Sequence, residues 1–213
     1  MDDCCQRKAA ELEQLRENQA RVLFIVLMIN SAMFAIEMAA GWFAGSVALQ
    51  ADSLDMLGDA LVYGFSLYVI GKSSRWRAGA ALMKGSVMAL FGFGVLGQSF
   101  YKVIYGGVPD AQLIGGFGLL ALAANGVCLI LLTRHKADDV NMRSTWLCSR
   151  NDIIANVSVI FAAGFVFLTN SIWPDIVVGL MITALFLKTS ITVIRESMAE
   201  FRRPVVKPAG STP

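Results

Sequence analysis

Three aspartates stand at positions 52, 55 and 59 inside a stretch that otherwise reads as a membrane helix, "VALQADSLDMLGDALVYGFSLYVI". The spacing i, i+3, i+7 sets Asp52, Asp55 and Asp59 along one stripe of a helix at 100° per residue. An aspartate at the centre of a membrane helix costs about 2.5–3.5 kcal/mol, so three facing lipid would cost on the order of 8–10 kcal/mol. They must face a polar interior, a partner or water. Three carboxylates on one stripe repel one another unless a cation or protons sit among them. A second cluster lies in "WLCSRNDIIANVSV", where Cys148 and Asp152 are i and i+4 and Asn156 continues their face by one turn. Two carboxylates on one helix facing a thiol and a carboxylate on another make a four-ligand set. Such a set suits a tetrahedral, borderline-soft divalent ion such as Zn²⁺ or Cd²⁺.

The elements that must position these groups follow from composition. The chain is 56% hydrophobic and only 16% charged, with a mean hydropathy of +0.60. That balance is far from a soluble domain and predicts an integral membrane protein. Six apolar runs are long enough to cross about 30 Å of hydrocarbon: 22–44, 47–70, 82–105, 112–133, 149–169 and 173–194. Nothing repeats like the short alternating strands of a barrel. The expected fold is therefore an all-α, six-transmembrane-helix bundle.

Orientation is read from the basic residues. Arg7, Lys8, Arg16 and Arg21 precede the first span, and Lys72, Arg75 and Arg77 join the second to the third. Arg134, Lys136 and Arg143 join the fourth to the fifth; Arg195, Arg202, Arg203 and Lys207 follow the sixth. The alternate connections, near Gly45, at 106–111 and at Asn170-Ser171, carry almost no positive charge. The positive-inside rule puts both termini in the cytoplasm. The expected organisation is a charged cytoplasmic helical segment over 1–21, a six-helix transmembrane domain over 22–194, and a short disordered tail over 195–213.

Other polar residues carry weaker signals. Glu37 lies late in the first span and reads equally as a pathway or relay group and as a structural hydrogen-bonding residue. Asn30 and Asn125 read as helix-to-helix bonds. Lys84 and Lys188 can snorkel or pair, and Asp175 opens the sixth span. Cys128 reads as a small core residue and His135 as a solvated loop residue. Cys4 and Cys5 face the cytoplasm, where they either capture a soft metal or are incidental. A net charge of +2 implies no nucleic-acid partner. With the single His in a loop and no phosphate-binding glycine loop, no enzyme is expected.

At "GWFAGSVALQADSLDMLGDALVYGFSLYV" the sequence resembles the cation diffusion facilitator family. The lead G-S-x-A-L-x-A-D is present, and Asp55 and Asp59 fall on the acidic pair of the second span. Cys148 and Asp152 fall on the corresponding pair of the fifth. The resemblance covers about residues 20–198. It implies a six-helix transporter in the bacterial inner membrane that exports divalent metal in exchange for protons by alternating access, as a homodimer. Asp55, Asp59, Cys148 and Asp152 would hold the transported ion, with Asp52 aiding entry or proton relay and no permanently bound cofactor. Cys148 departs from the usual His or Asp, and the family's cytoplasmic metal-binding domain and His-rich loop have no counterpart in these residues. Two other readings stand beside this one: an acid-lined passive cation channel, and a membrane metal sensor that does not transport.

Overall fold

The computed structural model describes the backbone of residues 2–68, 74–133 and 140–202 and the side chains of 20–64, 76, 78–133 and 152–202. These residues form six helices: α1 (Asp2–Ala44), α2 (Val47–Tyr68), α3 (Ser74–Tyr105), α4 (Ala111–Thr133), α5 (Val140–Thr169) and α6 (Trp173–Arg202). No strand occurs among the described residues. Five helices are long and apolar enough to cross a membrane. The exception is α2. Every 18-residue window of it contains all three aspartates, although its 22 residues span about 33 Å.

Packing resolves that exception. α2 packs against each of the other five helices, whereas among the described residues α1 packs mainly on α2 and α4, and α3 on α2 and α6. The polarity of the whole is turned inside out relative to a soluble domain. Phe24, Trp42, Phe93, Phe100, Phe161 and Leu185 are exposed, while Glu37, Asp52, Lys102, Asn125, Asn156 and Asp175 are buried. An apolar exterior of this extent marks a lipid-facing surface.

The turn from α1 to α2 is built from local rules. Gly45 adopts φ +60°, the left-handed conformation that ends a helix without a Cβ penalty. The Gly45 N–H then donates to the Trp42 carbonyl (3.2 Å) and the Ser46 N–H to the Gly41 carbonyl (2.8 Å), the paired bonds of a Schellman ending. Ser46 immediately caps the next helix: its Oγ accepts from the Leu49 N–H at 3.1 Å. The α3–α4 connection is fastened to the same place, the Asp110 N–H donating to the Ala44 carbonyl at 3.0 Å. Asp110 in turn caps α4, accepting from the Gln112 and Leu113 N–H groups at 2.9 and 3.1 Å. The α1–α2, α3–α4 and α5–α6 turns thus share one end of the bundle, the short-turn end.

Glycine allows the closest approach of α6 to α2. A Cβ on Gly179 would lie 2.6 Å from Val47 Cγ1 and 2.8 Å from the Ala48 backbone nitrogen.

Several helices outrun the apolar runs. α3 begins at Ser74 rather than 82, α5 at Val140 rather than 149, and α6 continues to Arg202 rather than stopping at 194. Arg143 is therefore within a helix, and residues 195–202 are helical rather than disordered. Residues 203–213 lie outside the described residues. The charged segment from Asp2 is helical and runs unbroken into the first span as part of α1.

Candidate metal site and the buried polar network

The acidic stripe of α2 is divided by depth. Asp52 and Asp59 share a face but stand about 10 Å apart along the helix axis, and they meet different neighbours. Asp59 is part-buried and accepts a 2.6 Å hydrogen bond from the Tyr63 hydroxyl, one turn further along α2. Its carboxyl group also meets that of Asp152 on α5, and Lys84 of α3 is close enough to act on it. Asp55, also part-buried, lies within the electrostatic reach of Asp52, Asp59 and Asp152. Asp55, Asp59 and Asp152 thus share one region at the α2–α5 contact.

Of the four expected metal ligands, the described side chains include these three. Among the described residues no three of His, Cys, Asp and Glu converge closely enough to hold a metal ion. Cys148 is carried by α5, one turn before Asp152, but its side chain lies outside the described residues. So do those of Cys4 and Cys5 on α1.

Asp52 belongs to another network. It is 1% exposed, and its Oδ2 accepts from Asn156 Nδ2 at 2.6 Å. Asn156 Oδ1 accepts in turn from Asn125 Nδ2 of α4 at 2.8 Å. An unbroken amide chain therefore links α4, α5 and α2. Glu37 of α1 is fully buried and lies against Asp52. Two turns earlier on α1, Asn30 Nδ2 donates to the Val26 carbonyl at 2.9 Å and meets Cys128 Sγ of α4 at 3.8 Å.

The third network closes the short-turn end. The Asp175 carboxylate, at the start of α6, is fully buried. Oδ1 accepts from Ser46 Oγ at 2.5 Å and the Ala48 N–H at 3.1 Å; Oδ2 accepts from the Val47 N–H at 2.9 Å. It therefore caps α2 from a different helix. Lys102 Nζ, from the last turn of α3, completes the group with a 3.0 Å ion pair to Asp175 and a hydrogen bond to the Gly45 carbonyl. Of the four N–H groups that an α-helix leaves without an internal partner at its start, the first two of α2 go to Asp175 and the third to Ser46.

Sequence reasoning passed over Lys102 and Tyr63. Lys102 had a visible signal, being a lone cation at an end where the connections carry almost none. Tyr63 had one too, four residues after Asp59 and so on the same face.

A bundle of membrane-length helices with an apolar exterior and acids turned inward defines a polytopic membrane protein with a cation-attracting interior. The chain belongs to the cation efflux family, whose transmembrane-domain model, "Cation efflux transmembrane domain", matches residues 23–201. The metal cation efflux system protein CzcD of Cupriavidus metallidurans is 23% identical over 204 residues, covering 84% of this chain and 63% of CzcD. The zinc transporter ZitB of Yersinia pestis is 24% identical over 203 residues, covering 87% of this chain and 64% of that protein. ZitB of Pectobacterium atrosepticum is 25% identical over 199 residues, covering 84% of this chain and 60% of its own length. The chain thus spans a little over three-fifths of the length of these relatives. With this family, these bacterial relatives and these helices, it is a multi-pass integral protein of the bacterial plasma membrane.

Proposed function

We propose that this chain moves a divalent metal ion, Zn²⁺ or Cd²⁺, out of the cytoplasm in exchange for protons, as a homodimer with both termini cytoplasmic. The observation that carries the reading is the approach of Asp59 on α2 to Asp152 on α5, with Asp55 in the same electrostatic neighbourhood. Asp55, Asp59, Cys148 and Asp152 are the proposed ligands of the transported ion, Cys148 lying one helical turn from Asp152. The likeness to CzcD, a metal cation efflux protein, and to the ZitB zinc transporters supports the choice of substrate.

The exchange follows from ligand chemistry. A thiol and carboxylates bind a metal only after giving up their protons, so metal and proton occupancy compete at one set of groups. A bundle with two discrete packings can then open that set to one side and afterwards to the other. The Asp175–Lys102 group ties three helices together at the short-turn end and supports a state closed there. Proteoliposomes loaded with a metal-sensitive dye test the site. Asp55→Ala and Asp59→Ala should each abolish Zn²⁺ uptake while the protein still inserts. Uptake at the parent rate by either variant would overturn the assignment.

A further inference from the structure

We propose that Glu37 and Asp52 form a proton-binding site separate from the metal ligands, and that this pair carries the proton exchanged for metal. The proposal rests on the exchange reading above. Glu37 on α1 and Asp52 on α2 are 0% and 1% exposed and lie against each other. Glu37 Oε1, Glu37 Oε2 and Asp52 Oδ1 have no hydrogen-bond partner among the described residues. Only Asp52 Oδ2 is satisfied, by Asn156. Buried polar atoms are very rarely left in this condition, and a buried charge without a partner is costlier still.

The surroundings narrow what can supply the missing partner. Asn125 occupies Asn156 Oδ1 and so turns the amide nitrogen toward Asp52, where it donates to Oδ2 alone. Among the described residues α1 packs on α2 and α4, and its Phe34 ring meets Phe91 of α3 edge-on at 5.7 Å. From α2, the ionisable groups facing Glu37 are Asp52 and Asp55, both acids. α4 carries no Asp, Glu, Lys, Arg or His, and its one ionisable group, Cys128, meets Asn30 two turns from Glu37. The described cations of α3 act elsewhere, Lys84 near Asp59 and Lys102 on Asp175, and the ionisable group that faces Asp52 from α5 is a further acid, Asp152. Two ionised carboxylates this close in a low-dielectric interior repel strongly. One proton removes the repulsion within the pair and turns one oxygen into a donor toward the other carboxyl, so it pairs two of the three unpartnered oxygens and halves the buried charge.

The pair is also placed for exchange. Asp52 lies within one helical turn of Asp55, so a positive charge arriving at Asp55 weakens the hold on a proton at Asp52, and loss of the ion restores it. That is reciprocal linkage between two cation sites. Asp52 is about 4.5 Å along the helix from Asp55 and about 10 Å from Asp59, and its carboxyl group meets Glu37 and Asn156.

The test separates proton coupling from metal movement. In proteoliposomes, ⁶⁵Zn²⁺ uptake driven by a pH gradient is compared with ⁶⁵Zn²⁺/Zn²⁺ exchange at equal pH, and a trapped pH dye reports proton counterflow. Glu37→Gln imitates the protonated carboxyl and removes the titration. The expected result is a fall of about tenfold in the ratio of gradient-driven uptake to exchange, the scale of a typical coupling between linked sites. Proton counterflow should be lost with it. Asp52→Asn should do the same, and it decides the matter if Glu37→Gln does not insert. An unchanged ratio in an inserted variant overturns the proposal. So does loss of exchange in proportion to driven uptake, which would put the pair in the metal site. A parent protein driven by a Na⁺ gradient and not by a pH gradient would make the ligand sodium and also overturn it. A parent that moves metal with no counter-ion at all would instead remove the exchange reading.

Discussion

Removing either member of the Lys102–Asp175 pair should destabilise the fold, and by unequal amounts. Breaking a buried ion pair on one side costs about 3–5 kcal/mol, because the surviving charge is left without its partner. The two survivors are not equally abandoned. In Lys102→Met the Asp175 carboxylate keeps the Ser46 hydroxyl, two backbone N–H groups and the positive end of the α2 dipole. A partly buried charge at a helix end gains up to about 2 kcal/mol from that dipole, so the net cost should be about 1–3 kcal/mol. In Asp175→Asn the Lys102 ammonium keeps the Gly45 carbonyl and at most a neutral amide oxygen, and α2 loses its charged cap. The full cost of about 3–5 kcal/mol should then appear. The double variant has no buried charge left and should be more stable than Asp175→Asn alone. Equilibrium unfolding in lipid bicelles, followed by steric trapping, measures all three. Lys102→Met costing more than Asp175→Asn, or single costs that simply add in the double variant, would refute the reasoning.

Reporters fused after Thr133 and Ile194 should lie in the cytoplasm and one after Val108 outside it; a cytoplasmic reporter at Val108 would break the six-span topology. Cys148→His keeps a metal donor of similar reach but loses the soft thiolate. It should retain Zn²⁺ uptake and lose more of the Cd²⁺ uptake, while Cys148→Ala loses both; full uptake by the alanine variant would remove Cys148 from the site. Gly179→Ala drives a methyl into the Val47 side chain and the α2 backbone, and should cost about 1–3 kcal/mol. Gly116→Ala, with nothing within 4 Å of the new carbon, is the control in the same unfolding assay and should keep the fold intact.

The helices were legible because hydropathy and the alternation of basic residues both report the membrane. Their ends were less so. An apolar run stops where lipid stops, whereas the backbone bonds of α5 begin nine residues earlier, at Val140, and those of α6 continue to Arg202. The stripe formed by Asp52, Asp55 and Asp59 was correct as a direction. It could not show that Asp52 turns to Glu37 and Asn156 while Asp59 turns to Tyr63 and Asp152, because periodicity fixes a face and not the neighbour that meets it. Asn125 and Asn156 lie 31 residues apart and Lys102 and Asp175 lie 73 apart. Only the packing order of the helices brings such pairs together.

The cap on α2 sets a timetable for synthesis. Val47 and Asp175 are separated by 128 residues, which a ribosome covers in roughly 6–25 s at about 5–20 residues per second. Over most of that interval α2, which carries three aspartates and no basic residue, exists without the group that finally satisfies its first two N–H donors and without the α5 amide that meets Asp52. It cannot enter lipid on apolarity alone. The α1–α2 hairpin is thus made well before the groups that complete it, and the last helix made caps the second.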